Sequence, residues 1–188
     1  MNAHAETEII AQLLAGYHAP RLFQDSQTSS YSGATFGGSL LYRLSSSAVS
    51  IAPIVTYQVG TYQNSANTSL QTETITDKTI NAGLRAYFDK LYVQAHYSWI
   101  KLTDTAQGTV DLNIYDRVTG IGGSVGVELP LSRFVRLEVS LDASSYQFNQ
   151  KTGGFSADTQ YLKYGGHIGI NFLLPSAPAA KKFEFESL

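Results

Sequence analysis

The stretch Leu91–Trp99, LYVQAHYSW, alternates between two kinds of side chain at every position. One face carries Leu91, Val93, Ala95, Tyr97 and Trp99, and the other carries Tyr92, Gln94, His96 and Ser98. Because successive side chains of a β-strand point to opposite faces, this period of two predicts a strand with one continuous apolar face.

Seven further stretches of the chain show the same alternation between turn-forming residues. We predict eight strands near residues 8–18, 32–44, 48–61, 79–88, 91–102, 119–129, 134–147 and 161–173. No charged side chain interrupts the apolar face of any of them. A strand of about nine to eleven residues is long enough, when tilted, to cross the hydrocarbon layer of a membrane.

The connections between the predicted strands differ in length. Those after the second, fourth and sixth strands are short: Ser45-Ser46-Ser47, Asp89-Lys90 and Pro130-Leu131-Ser132-Arg133. Those after the other strands are long polar loops, such as Gln63–Thr76 and Thr103–Val118. This asymmetry is typical of outer-membrane barrels, which have short periplasmic turns and longer extracellular loops. The pattern predicts an all-β chain folded as an eight-stranded antiparallel up-and-down transmembrane β-barrel. The barrel would span residues 8–173, between an N-terminal segment 1–7 and a tail or linker 174–188 that contains Pro and Ala.

The composition agrees with this prediction. The 188 residues suffice for one domain, and charged residues make up only 15% of them, against roughly 25% in soluble domains. A net charge of -2 without clusters of Lys and Arg argues against a nucleic-acid partner. Cysteine is absent, which excludes disulfides and thiolate metal sites. No apolar run reaches the length of a membrane-spanning helix, so a membrane interpretation requires a barrel.

A soluble barrel or β-sandwich would alternate in a similar way, and two features argue against it. The faces opposite the apolar ones carry Gly and Ser among their charges, where a solvent-exposed face would carry Lys and Glu. Bulky aromatic residues also lie toward the strand ends, as in the aromatic girdles of membrane barrels. The predicted girdle comprises Tyr17, Tyr42, Tyr57, Phe88, Trp99 and Phe172.

The stretch Tyr164–Phe172, YGGHIGINF, resembles the last strand of bacterial outer-membrane proteins, in which apolar residues at alternate positions precede a terminal aromatic. With the strand count, the chain resembles the small OmpA-like, OmpX-like and OmpW-like barrels over residues 8–173. The resemblance implies a bacterial outer-membrane location, with loops extracellular and turns periplasmic. It also implies contact with the lipid bilayer and lipopolysaccharide, and with the outer-membrane insertion machinery through the last strand. The Pro/Ala tract beyond it resembles the linker to the peptidoglycan-binding domain of OmpA-like proteins, which suggests a peptidoglycan link through such a domain.

The polar faces place several charged and titratable groups inside the predicted barrel. Four cations face three carboxylates, 4 − 3 = +1, and an eight-stranded interior is only wide enough for side chains. We therefore expect Arg85 or Arg136 to bond Glu138, and Asp142 to lie near His167 or Lys163. These groups form either a self-neutralised plug, which we favour, or a gate whose ion pairs exchange partners. The predicted luminal network comprises Arg43, Arg85, Glu128, Arg136, Glu138, Asp142, Lys163 and His167.

We assign no catalytic residue, metal site or cofactor from the sequence. His96-Tyr97-Ser98 resembles the His-x-Ser pair of outer-membrane lipid A deacylases, but both side chains share the polar, inward face. The four histidines, His4, His18, His96 and His167, show no metal-ligand spacing.

The sequence is compatible with three functions. The first is a non-enzymatic anchor that serves envelope integrity or surface interaction. The second is a small OmpW-like pore for small or apolar solutes, indicated by inward Leu41 and Ile54 and by Pro53, which breaks a ladder hydrogen bond. A lipid A-modifying hydrolase comes third.

Overall fold

The computed structural model describes residues 6–24, 27–45, 50–64, 74–106, 110–148 and 159–174. Within these ranges the regular structure is entirely β, and no helix is long and apolar enough to cross a membrane. The strands are β1 (Glu6–His18), β2 (Arg21–Gln24), β3 (Gln27–Ser45), β4 (Ser50–Asn64), β5 (Thr74–Phe88), β6 (Leu91–Ala106), β7 (Val110–Pro130), β8 (Val135–Phe148) and β9 (Thr159–Leu174).

Strands β1 and β2 together occupy one strand position of a barrel. Both pair antiparallel with β3 and with β9, in one unbroken register on either side of Ala19 and Pro20. Hydrogen bonds continue through the interruption, because the Ala19 amide donates to the Tyr164 carbonyl and the Tyr31 amide donates to the Pro20 carbonyl. Each other strand pairs with its neighbours in sequence, and β1 with β9 closes the sheet. The predicted eight-stranded antiparallel up-and-down barrel is confirmed.

The register of the closed sheet fixes its shear. If the cross-strand partners are followed around the barrel from Gln12, the path returns to the first strand position at Leu22, a shift of 22 − 12 = 10 residues. A shift of this kind tilts the strands, typically by about 35–45° from the barrel axis. The path runs through Gln12, Ser39, Thr56, Asn81, Ser98, Gly120, Tyr146, Tyr161 and Leu22.

The outer face is a belt of exposed apolar side chains. On β5 it extends from Ile80 to Phe88 and on β6 from Leu91 to Trp99, and the side chains on the opposite face are mostly buried. This length matches the roughly nine to eleven residues of a membrane-crossing strand. All six aromatics of the predicted girdle are exposed on this outer face, together with Phe36 and Tyr97, which the girdle prediction left out.

The strands run further at one end than the sequence predicted. We call the end with the Asp89–Lys90 turn and the bends at 131–134 the turn end, and the opposite one the loop end. Instead of a long loop after the first strand, β2 and β3 form a hairpin that pairs Gln24 with Gln27. Regular strands also replace parts of the predicted loops Gln63–Thr76 and Thr103–Val118. The predicted tail lies outside the described residues, except that β9 extends to Leu174.

The barrel is filled. An apolar cluster lies toward each end of the interior, and polar and charged side chains fill the rest of it. A central cavity of about 30 Å³ leaves space for only a couple of water molecules, since each needs about 10–15 Å³. The loop-end cluster comprises Tyr31, Tyr62, Ile75, Ile100, Leu102, Val118, Tyr146 and Tyr161, and the turn-end cluster comprises Ile10, Leu41, Ala52, Ile54, Tyr87 and Tyr92.

Candidate functional site: the charged barrel interior

A buried ion pair lies in the turn-end half of the interior. Arg85 on β5 donates to both carboxylate oxygens of Glu138 on β8, from Nη1 at 2.7 Å and from Nη2 at 3.2 Å. The Tyr92 hydroxyl donates to the same carboxylate at 2.6 Å, and the Gln94 amide oxygen accepts from Arg85 Nε at 3.0 Å. The contact expected between Arg85 and Glu138 is therefore present, with both charges almost fully buried and hydrogen-bonded.

Two glutamates face each other across adjacent strands, and shared donors compensate them. Glu128 on β7 is the direct cross-strand partner of Glu138. The Asn171 amide donates to both carboxylates, at 3.1 and 3.2 Å, and Arg85 Nη1 lies 3.7 Å from Glu128. Like charges in this position repel, and the shared donors offset that repulsion.

Arg136, the second candidate partner of Glu138, bonds other carboxylates. Its guanidinium donates to Glu8 at 3.0 Å and to Glu128 at 3.4 Å. Arg43 lies 3.5 Å from Glu128 and 3.8 Å from Glu8. Glu8 was absent from the predicted network, although it shares the inward parity of β1, and it completes a set of three arginines and three glutamates near the turn end.

A second buried ion pair lies at the loop end. Lys163 on β9 donates to Asp77 on β5 at 3.1 Å, and both side chains are almost completely buried. The hydroxyls of Tyr62 and Tyr161 also donate to Asp77, each at 3.2 Å. Lys163 is thus bonded to Asp77. Asp142, which was expected near His167 or Lys163, bonds His167.

Asp142 accepts from two histidines in the middle of the barrel. His18 Nε2 lies 2.9 Å from one carboxylate oxygen and His167 Nδ1 lies 2.9 Å from the other. The two imidazole rings meet edge to face, with centroids 4.5 Å apart. Beyond them, Thr35 Oγ1 lies 3.0 Å from His18 Nδ1, and Gln58 Nε2 lies 3.0 Å from His167 Nε2.

The charge count of the interior differs from the one expected. Among residues whose side chains are described, the expected three carboxylates become five because Glu8 and Asp77 also point inward, so 4 − 5 = −1 when the histidines are neutral. Four of these carboxylates have an Arg or Lys partner, whereas Asp142 has only imidazoles.

His96 and Ser98 both lie inside the barrel, as their parity predicts. His96 Nε2 lies 3.1 Å from Ser144 Oγ, and Ser98 is not its partner. A lipid hydrolase needs its nucleophile open to the membrane, and this pair is enclosed by the barrel wall.

Sequence reasoning missed His18, Glu8 and Asp77 in the interior network. His18 and His167 are distant in sequence and meet only because β1 closes on β9, where Gly16 faces His167 and Gly165 faces His18. The alternation showed that both histidines face inward, but the register that joins the first and last strands could not be read from the sequence.

Comparisons with known proteins identify the fold. No protein-family model matches the chain, and no curated protein matches its sequence. Among solved structures, the outer membrane protein AlkL is 11% identical, with a TM-score of 0.60 and 96% of each chain covered. Neisserial surface protein A is 13% identical, with a TM-score of 0.54, covering 87% of this chain and 97% of that one. At these identities the likeness concerns architecture alone: the chain has the fold of the small outer-membrane β-barrels.

Proposed function

We propose that the chain is a bacterial outer-membrane anchor, a sealed barrel that holds its loop end outside the cell for envelope integrity or surface interaction. The observation that carries this proposal is the combination of a lipid-compatible outer face with a filled lumen. Exposed Leu, Ile, Val and aromatic side chains surround the barrel, and a soluble protein seldom exposes so large an apolar area.

The filled interior argues for a structural role over conduction. Apolar clusters lie toward both ends of the lumen, and the Arg85–Glu138 and Lys163–Asp77 pairs are each held by several hydrogen bonds. Opening a path through these groups requires separating buried ion pairs such as Arg85–Glu138, and removing one partner of such a pair costs about 3–5 kcal/mol. The luminal network therefore supports a plug more than a gate.

The orientation and the partners form part of the same proposal. Lipid and lipopolysaccharide would contact the exposed belt, the insertion machinery would engage β9, and any peptidoglycan link would need a domain beyond residue 174. At the loop end, β4 and β5 are separated by nine residues of sequence and β8 and β9 by ten, against two at the Asp89–Lys90 turn, and this difference supports placing the loop end outside.

Two measurements test this function. The chain should fold only in detergent or lipid, and the folded form should migrate differently from the boiled form in SDS gels. Planar bilayers that contain the wild type should show no ion-conducting steps, and neither should bilayers with Glu138→Ala. Regular conductance steps in the wild type would reject the anchor and favour a pore.

A small pore for apolar solutes is the second candidate, and one observation favours it. The β3–β4 ladder pairs Leu41 with Ile54 and Leu44 with Ile51, but the positions between them are unpaired beside Pro53. Proline cannot donate a ladder hydrogen bond, so this seam is a weaker part of the wall. If solutes pass there, Pro53→Val should slow entry of an apolar fluorescent probe into proteoliposomes. Equal entry with and without the protein would reject the pore.

A further inference from the structure

We propose that His18, Asp142 and His167 form a binding site for one divalent transition-metal ion inside the barrel. One ligand atom from each residue lies within 4.8 Å of the other two, and His18 Nε2 and His167 Nδ1 each lie 2.9 Å from a carboxylate oxygen of Asp142. Three strands supply them: β1, β8 and β9. Two imidazoles with one carboxylate are a ligand set of zinc and of non-haem iron sites, and three protein ligands leave positions open for water.

The backbone around the site is shaped for the two imidazoles. A Cβ atom added at Gly16 would lie 2.5 Å from a ring carbon of His167, and one added at Gly165 would lie 2.5 Å from a ring carbon of His18. Each glycine is the direct cross-strand partner of the histidine that it accommodates. A side chain at either position would overlap an imidazole and also a backbone carbonyl oxygen, that of Gly166 at 2.6 Å from a Cβ atom at Gly16 and that of Tyr17 at 2.3 Å from one at Gly165.

The outer hydrogen bonds of the histidines also suit metal ligands. A metal-bound imidazole usually donates its second N–H to an oxygen, which fixes the ring. The hydroxyl oxygen of Thr35 lies 3.0 Å from His18 Nδ1 and 3.4 Å from His167 Nε2, so it can accept from either ring. Gln58 offers an amide oxygen to His167 once its amide group is rotated, because its nitrogen now lies 3.0 Å from Nε2.

The charge balance favours a cation at this site. Of the described interior carboxylates, Asp142 alone lacks an Arg or Lys partner, and it is largely buried. A buried carboxylate without a compensating cation is costly. A divalent ion bound between the carboxylate and the two ring nitrogens would supply that charge.

The nitrogen–oxygen distances need only a small adjustment, whereas the ligand nitrogens of the two rings, which lie within 4.8 Å of each other, would have to move to about 3.3 Å apart. The ring nitrogens lie 2.9 Å from the carboxylate oxygens, whereas neighbouring ligands of a tetrahedral zinc ion are about 3.3 Å apart, given bonds of about 2.0–2.1 Å. Asp142 and His167 also line the central cavity of about 30 Å³, into which the carboxylate can shift.

The test is a zinc titration of the full chain, purified without a histidine tag, refolded in detergent and stripped with EDTA. Competition with a chromogenic chelator should show one Zn²⁺ per chain. His18→Gln, His167→Gln and Asp142→Asn should each weaken binding about 100-fold or more, since losing even an outer partner of a metal ligand costs about 10–100-fold. His96→Gln is the matched control, because His96 is also luminal but bonds Ser144, and it should bind as the wild type does.

Cobalt gives a readout that needs no variant. Co²⁺ added to the stripped wild type should produce the visible absorption of a four- or five-coordinate site, and Zn²⁺ should abolish it. SDS-gel migration before and after boiling will show that each variant is folded. The proposal would be overturned if the wild type bound no zinc at about 100 µM Zn²⁺, or if His18→Gln bound zinc as tightly as the wild type.

Discussion

Replacing Arg85 by Ala tests the luminal network most sharply. The change leaves the Glu138 carboxylate, 1% exposed, without the guanidinium that donates to both its oxygens. Tyr92 and Asn171 would still donate to Glu138, but neither carries a positive charge. Removing one partner of a buried ion pair typically costs about 3–5 kcal/mol. We expect Arg85→Ala to lower the free energy of unfolding by that amount.

The protein contains a convenient probe for this measurement. Trp99 is the single tryptophan and is exposed on the outer face, so its emission should shift when the barrel unfolds in urea from lipid vesicles. Arg133→Ala is the matched control, because Arg133 is exposed at the turn end, and it should stay within about 0.5 kcal/mol of the wild type.

A double variant separates loss of charge balance from loss of packing. Arg85→Met with Glu138→Leu removes both charges and keeps similar volumes, and such replacements are often neutral or stabilising. The double variant should therefore be more stable than Arg85→Ala. A stability of Arg85→Ala within 1 kcal/mol (about one non-ionic hydrogen bond) of the wild type, or a double variant less stable than the single one, would refute this role of the ion pair.

Three further predictions concern the outer face, the loop end and the histidine pair, each measured by the same urea unfolding. Leu141→Arg places a charge on the middle of the lipid-facing belt, where the Leu141 side chain is 67% exposed, and should cost about 2–4 kcal/mol. Leu131→Arg, at the turn end, should cost about 0–1 kcal/mol. Equal costs would contradict a lipid-facing belt. Tyr161→Phe removes a hydroxyl that donates to the buried carboxylate of the loop-end ion pair and should cost about 1.5–3 kcal/mol, and an unchanged midpoint would count against that bond. Gly165→Ala should cost about 1–3 kcal/mol because its new methyl group would overlap the Tyr17 carbonyl oxygen and the His18 ring. Gly166→Ala, whose nearest neighbour would lie 3.1 Å away, should cost less, and the reverse order would be inconsistent with the close packing around Gly165.

The membrane-spanning part of the fold could be read from the sequence because one face of each strand must be apolar there. Beyond the belt this constraint ends, as at Lys78, which lies two positions from Ile80 toward the loop end on the outer face of β5. The alternation signal then disappears although the strand continues, and this is why Asp77 was left outside the predicted strands. The same loss of alternation explains why the β2–β3 hairpin was predicted as a loop.

Contacts between inward-facing side chains were predictable only within single hairpins or between residues at similar distances from the turns. Arg85 and Glu138 could be paired from parity and from their distance to the turns. His18 and Asp142 come together through the closing β1–β9 pair and a shear that no local pattern records. Parity told which residues face the lumen, but their neighbours depend on the register around the whole barrel.

Trp99 offers the most direct test of whether the apolar face of this barrel lies in a bilayer. The refolded protein is placed in vesicles whose acyl chains carry bromine, which quenches tryptophan only at close range, and a water-soluble quencher is compared. We predict strong quenching by the brominated lipid and weak quenching by acrylamide. Strong acrylamide quenching with no effect of bromine, in a chain that is folded, would contradict a membrane-embedded barrel.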